Sequence, residues 1–213
     1  MNWENAILMF VTLIISLTVH EAAHALVAMW GGDRTAYFGG QVTLNPLPHM
    51  QREPFGMLVL PLIALGLSHG MSTFGYAHAP YDPVWAWHNP RKAALMAAAG
   101  PLANVLLAAI AFAVLWFVGR PDSGTEEAVR RIAGLFLYMN VLLAVFNVIP
   151  VPPLDGASIV ASLVRPTRKL YDALQRIPYS SIVILVLLFN YAGDLIMPVF
   201  RAVNSWLPWP LGW

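Results

Sequence analysis

The sequence predicts an all-α polytopic membrane protein, and three observations carry that prediction. The chain is 58% hydrophobic and only 11% charged, against roughly 25% charged residues in an ordinary soluble domain. Uncharged or nearly uncharged runs fall at about 5–31, 54–72, 92–118, 129–149 and 179–203, most of them close to the roughly 20 residues that span a hydrocarbon core. Tryptophans flank the runs, where interfacial anchors belong. We therefore expect about four transmembrane helices plus one re-entrant or additional apolar segment, in a single membrane-embedded domain over 1–213, because no linker, repeat or low-complexity tract divides the chain.

Composition also excludes. A net charge of +1 gives no argument for nucleic acid. The absence of cysteine removes disulfides and thiolate ligands, so any metal must be held by His, Asp or Glu. The first apolar run lacks a basic leader and a small-residue cleavage site, and is expected to be retained.

Between the first and second runs, Gly39-Gly40, the alternating Gln41-Val42-Thr43-Leu44 and then Asn45-Pro46-Leu47-Pro48 predict a small β-hairpin followed by a turn. The third run opens Asn89-Pro90-Arg91-Lys92 and contains Ala97-Ala98-Ala99-Gly100-Pro101 before Asn104. Small residues there allow another helix to approach closely. The fourth run ends in Asn147-Val148-Ile149-Pro150-Val151-Pro152-Pro153-Leu154-Asp155-Gly156, where the prolines cannot continue a helix. The chain must unwind there and deliver Asp155 at a turn. Such backbone is tolerated at membrane depth only inside protein or beside a water-filled cavity, so the break marks a candidate site. Trp3, Trp85, Trp87, Trp116, Trp206, Trp209 and Trp213 flank the runs as interfacial anchors.

The chemistry starts at His20-Glu21-Ala22-Ala23-His24. Two histidines four apart on a helix project from one face and can both ligate zinc, while the glutamate beside the first can take a proton from a coordinated water. Ionisable residues inside a membrane are costly unless partnered, which favours a ligand that compensates all three.

If Asp155 is to meet these histidines, the ends of the first and fourth runs must share a side, yet three full crossings would separate them. The run 54–72, interrupted by Gly56, Pro61 and Gly66, is expected to be re-entrant. The other solution is that 73–91 threads back through the protein in extended form, a reach of roughly 60 Å. With the first, Arg34, Arg52, Arg91, Lys92, Arg165, Arg168, Lys169 and Arg176 share one face, which the positive-inside rule makes cytoplasmic.

The motifs His20-Glu21-Ala22-Ala23-His24, Gly100-Pro101-Leu102-Ala103-Asn104 and Asn147 to Gly156, in this order, resemble those of the site-2 proteases, and the likeness runs from about residue 10 to 165. That resemblance implies a zinc metalloprotease cutting transmembrane substrates within the membrane, with one zinc per chain on His20, His24 and Asp155, and Glu21 activating water. It further implies that Asn104 and Asn147 line the substrate path. Ala157 stands where members commonly have a second glycine, and 213 residues leave no room for the PDZ or CBS domain that many carry.

Asp155 also suits an ordinary turn or helix start, and Asp194 is a competing acid. Beside a two-histidine helix in a cysteine-free chain, Asp155 is the preferred third ligand, and Asp194 is assigned to the opposite interface. His49 follows the hairpin and is expected to be a solvated loop residue with a possible reach to substrate; His69, His78 and His88 have no partner at metal-ligand spacing. The expected protein is a multi-pass intramembrane zinc endopeptidase, its active site nearer the cytoplasmic face, its partners a transmembrane substrate and the lipid bilayer. The alternative is a zinc-binding membrane protein without hydrolysis, a transporter or inactive scaffold.

Overall fold

A computed structural model describes residues 3–177 and 180–212; Trp213 and the first residue of the 179–203 run lie outside the described residues. The elements are α1 (Trp3–Gly31), α2 (Thr35–Phe38), α3 (Pro46–Arg52), a π-helical turn (Phe55–Val59) running into α4 (Leu60–Leu67), α5 (Pro83–His88), α6 (Pro90–Val118), α7 (Gly124–Val148), α8 (Asp155–Leu163), α9 (Arg165–Gln175) and α10 (Ser180–Ser205). Among the described residues, α1, α6 and α7 are long and apolar enough to cross a membrane by length and composition. That is fewer than the four spans expected, although α10 is a further helix of 26 residues.

α6 lies between α1 and α7 and also meets α8. Its buried face reads Ala93, Ala97, Gly100, Asn104, Ala108, Ala111 and Leu115, a spacing of three and four residues. In lipid, little apolar driving force brings helices together, so small residues that let backbones approach supply the packing. α1 answers with a polar face: Thr12, Ser16, His20 and His24, each four residues apart, are all buried. At its other end, the Gly31 carbonyl accepts from Trp85 Nε1 at 3.2 Å and from Lys92 Nζ at 2.9 Å, which satisfies an orphan carbonyl and places a cation at the helix C-terminus. α7 begins with a capping box, Ser123 accepting from the Glu126 amide while Glu126 accepts from the Ser123 amide.

The β-hairpin does not form, and no strand occurs among the described residues. The residues that suggested it are a helix stop followed by a helix start. Gly40 has φ +69°, its amide donates to Tyr37 and the Gln41 amide to Ala36, the bonding of a left-handed C-terminal cap on α2. Asn45 then accepts from the Leu47 amide at 3.0 Å, with Pro46 at the first helical position of α3. Four alternating residues without a partner strand had too little pairing to compete with two capped helices.

After the apolar helical segment Phe55–Leu67 the chain takes the extended route back along α1. Asn5 Nδ2 donates to the Gly70 carbonyl at 2.9 Å, so the turn after α4 lies level with the start of α1. The Asp82 amide donates to Asp33 Oδ2 at 2.7 Å, which puts that residue level with the end of α1. The interval is roughly 40 Å along a helix, and the twelve residue steps from Gly70 to Asp82 cover about that distance only near full extension. On the way the chain lies antiparallel to the preceding helix: the Thr73 hydroxyl donates to Pro61, the Tyr76 amide to Gly56, and His78 meets Glu53 at 2.9 Å. A Cβ on Gly56 would collide with the Tyr76 carbonyl. The chain therefore returns to the end of α1 that bears His20 and His24 before α6 begins.

Candidate metal centre

His20, Glu21 and His24 are 3%, 2% and 6% exposed, so the motif is sealed inside the helix assembly. The two Nε2 atoms are 3.0 Å apart. The 149–154 stretch leaves the helical path after α7, as its prolines require, and α8 starts at Asp155. This start brings Asp155 Oδ2 to 3.1 Å from His20 Nε2 and 3.4 Å from His24 Nε2. A Cβ on Gly156 would overlap the Val148 and Ile149 carbonyls, so only glycine lets α8 begin so close to the end of α7. Gly100 does the same for α6: a Cβ there would fall on the Nε2 atoms of both histidines.

The hydrogen bonds at the far side of each ring decide what these nitrogens are. His24 Nδ1 is 2.7 Å from the Met96 carbonyl, which can only accept, so Nδ1 carries the proton and the neutral ring presents an Nε2 lone pair. His20 Nδ1 is 2.5 Å from Asn104 Oδ1, which leaves its Nε2 likewise a lone pair. Two lone pairs and a carboxylate oxygen within 3.0–3.4 Å of one another repel unless a cation stands among them. Ligands at about 2.1 Å in a tetrahedron lie roughly 3.4 Å apart, and Asp155 Oδ2 has no hydrogen-bond partner among the described residues. The donor set therefore fits the zinc expected from the sequence. Glu21 belongs to the same cluster, with ligand atoms of His20, Glu21 and His24 all within 4.8 Å of one another, and its Oε2 is buried without a hydrogen-bond partner among the described residues.

Both comparisons of sequence lead to one family. The profile described as peptidase family M50 matches residues 8–123 and 118–189. The chain belongs to that family, the site-2 proteases. Among individual proteins, it is 36% identical over 200 residues to YwhC of Bacillus subtilis (strain 168), whose name provisionally calls it a zinc metalloprotease; the match covers 90% of this chain and 85% of that protein. Rip2 of Mycolicibacterium smegmatis, named in the same way, is 30% identical over 154 residues, 70% of this chain but only 54% of Rip2. Rip2 of Mycobacterium tuberculosis (strain H37Rv) is 29% identical over 177 residues, 83% of this chain and 64% of its own length. No solved structure matches.

Within this M50 chain, the remaining sequence candidates fall in different places. Asn104 is fully buried against His20, whereas Asn147 donates to its own helix at Leu143, 3.0 Å away. Asp194 is exposed on α10. His49 is buried, not solvated, and holds the Thr43 carbonyl at 3.0 Å. Sequence reasoning missed Ser16 and Asn140, both fully buried and tied into the same polar network. A trace was present: Ser16 continues the four-residue spacing of His20 and His24, and Asn140 lies two turns before Asn147 on α7.

Proposed function

We propose that this protein is an intramembrane zinc endopeptidase that hydrolyses peptide bonds within or near transmembrane segments of membrane proteins. The observation that carries the reading is the convergence of two histidine lone pairs and the Asp155 carboxylate on one buried point, with the unpartnered Glu21 carboxylate beside it. The names of the relatives support zinc as the metal. His20, His24 and Asp155 would hold it, one ion per chain.

Bound zinc supplies a Lewis acid that makes a coordinated water acidic and polarises a carbonyl. Glu21 takes the proton of the attacking water and returns it to the leaving amine. Burial of Glu21 and the histidines keeps bulk water from competing for that proton. A helical substrate hides its carbonyls in hydrogen bonds and must unwind locally before one can reach the site. Arg34, Arg52, Arg91, Lys92, Arg168 and Lys169 belong to segments near the end of α1 that carries the motif, which by the positive-inside rule supports an active site nearer the cytoplasm.

Glu21→Gln tests the reading. The variant should fold and retain zinc, yet lose at least the roughly 10²–10⁴ in rate that a positioned acid–base group contributes. Zinc content and cleavage of a transmembrane substrate are measured side by side with wild type. Equal cleavage by both would remove Glu21 as the base, and a wild type that binds zinc but cuts none of several helix-destabilised substrates would favour a non-hydrolytic zinc protein.

A further inference from the structure

The two histidines are anchored differently. His24 Nδ1 meets a backbone carbonyl, Met96, which cannot rotate away. His20 Nδ1 meets the side-chain amide of Asn104, which could present either its oxygen or its nitrogen. If Asn104 presented nitrogen, His20 Nδ1 would have to accept, the proton would move to Nε2, and His20 could not ligate.

We propose that Asn140 is the positioning residue that prevents this, acting through Asn104 to hold His20 in the ligating tautomer; the proposal rests on the reading of His20 as a zinc ligand. The chain of bonds starts from a group whose polarity is fixed. The Phe136 carbonyl, 2.9 Å from Asn140 Nδ2, can only accept, so the Asn140 nitrogen must face it. The second hydrogen of that nitrogen goes to Ser16 Oγ at 3.0 Å. Asn140 Oδ1 is thereby turned to Asn104, 2.8 Å from its Nδ2. That bond, with a longer one at 3.5 Å from Asn104 Nδ2 to the Ser16 carbonyl, leaves Asn104 Oδ1 for His20 Nδ1. Asn104 and Asn140 are both 0% exposed, so water cannot stand in for a missing partner, and a wrongly turned amide would leave two mismatched pairs in a buried network. Each bond is donated in the direction from α1 through α6 to α7, and the acceptor that ends the series, a backbone carbonyl of α7, sets the proton on a ring it never touches.

An isosteric pair at position 140 separates polarity from packing. A threonine hydroxyl can donate to the carbonyl four residues back, which turns its lone pairs outward to accept from Asn104; valine has the same shape and no acceptor. Asn140→Thr should keep zinc affinity within about threefold of wild type, and Asn140→Val should lose the roughly 10–100-fold typical of a broken outer-shell contact. Adding Asn104→Asp to Asn140→Val should recover most of the loss, because a carboxylate can only accept from His20 Nδ1. Zinc affinity is measured by competition with a chromogenic chelator on the purified full chain.

Equal affinity of the Thr and Val variants, or a double variant weaker than Asn140→Val, would overturn the proposal. If neither position-140 variant can be purified folded, Asn104→Asp against Asn104→Val repeats the contrast one link nearer the ring, and equal zinc affinity there has the same force. His20→Ala separates the two levels: if it leaves zinc binding intact, the reading of the ligand set fails, whereas zinc loss in His20→Ala without any effect of the position-140 and position-104 variants defeats the relay alone.

Discussion

Two stretches of non-helical chain run beside α1, and they are held in different ways. The 149–154 stretch is short and proline-rich, and ends at Asp155, which faces His20 and His24. The 72–82 stretch is longer, runs nearly the length of α1, and is tied by backbone and side-chain hydrogen bonds to Gly56, Pro61 and Asp33. In the first, steric closeness does the positioning: Gly156 and Gly100 are places where one added carbon would displace the site. In the second, polar satisfaction is added to the close fit of Gly56 against Tyr76, since every amide at that depth needs a partner within the protein. The comparison teaches that close approach at glycine serves both stretches, while the long topological return is in addition held by hydrogen bonds at both of its ends and along its length.

The largest effect should come from breaking the packed side of that contrast. Gly100→Val places side-chain atoms where the two Nε2 atoms now lie. We expect zinc per chain to fall to near zero and cleavage with it. Gly66→Ala is the matching control, since its Cβ would meet nothing within 4 Å and alanine favours the helix by about 1 kcal/mol over glycine. Metal analysis of the two purified variants checks this; full zinc in Gly100→Val would mean that α6 does not approach the ligands as closely as described.

A smaller loss should follow from cutting the hydrogen-bonded side. The buried Asp33 carboxylate accepts from the Thr35 amide at 2.9 Å, the Thr35 hydroxyl at 2.6 Å and the Asp82 amide at 2.7 Å, which joins the end of α1 to the end of the returning stretch. Hydrogen bonds to a charged group contribute roughly 1.5–3 kcal/mol each, and losing them strands the Asp82 amide. Asp33→Ala should therefore cost about 3 kcal/mol, lower the Tm and make the chain near residue 82 sensitive to proteolysis, while zinc content stays at wild-type level. Loss of zinc together with stability would show that the two stretches are coupled and not independently held.

How much of this was legible in the sequence follows the same division. The meeting of His20, His24 and Asp155 was readable because its determinants are local: a four-residue repeat of histidine on a helix, and prolines that cannot stay helical before Asp155. The relay behind His20 was not, because Asn140 and Ser16 are 124 positions apart and their meeting depends on how α1, α6 and α7 pack. The return of the chain was posed correctly as a question of parity, but its answer lay in long-range bonds such as Asn5 to Gly70 that no periodicity announces. The hairpin failed for a local reason. Paired glycines serve a turn between strands and the stop of a helix equally well, and here the helical caps on either side decided.

That last point yields the mildest prediction. Asn45 caps α3 by accepting from the Leu47 amide at 3.0 Å, and α3 in turn carries His49, whose ring holds the Thr43 carbonyl at 3.0 Å. Asn45→Ala removes the cap but keeps Pro46, whose fixed φ still suits the first helical position. The expected cost is about 1 kcal/mol of stability. Zinc content should not change, because α3 supplies no group to the cluster of His20, Glu21 and His24. Thermal melts and metal analysis of the same preparation read both quantities. Wild-type stability in Asn45→Ala would mean that the cap is not what turned this segment from strand to helix, and the choice would then have to lie with the packing of Met50 against the cluster that holds Leu13, Ile14 and Leu17 of α1.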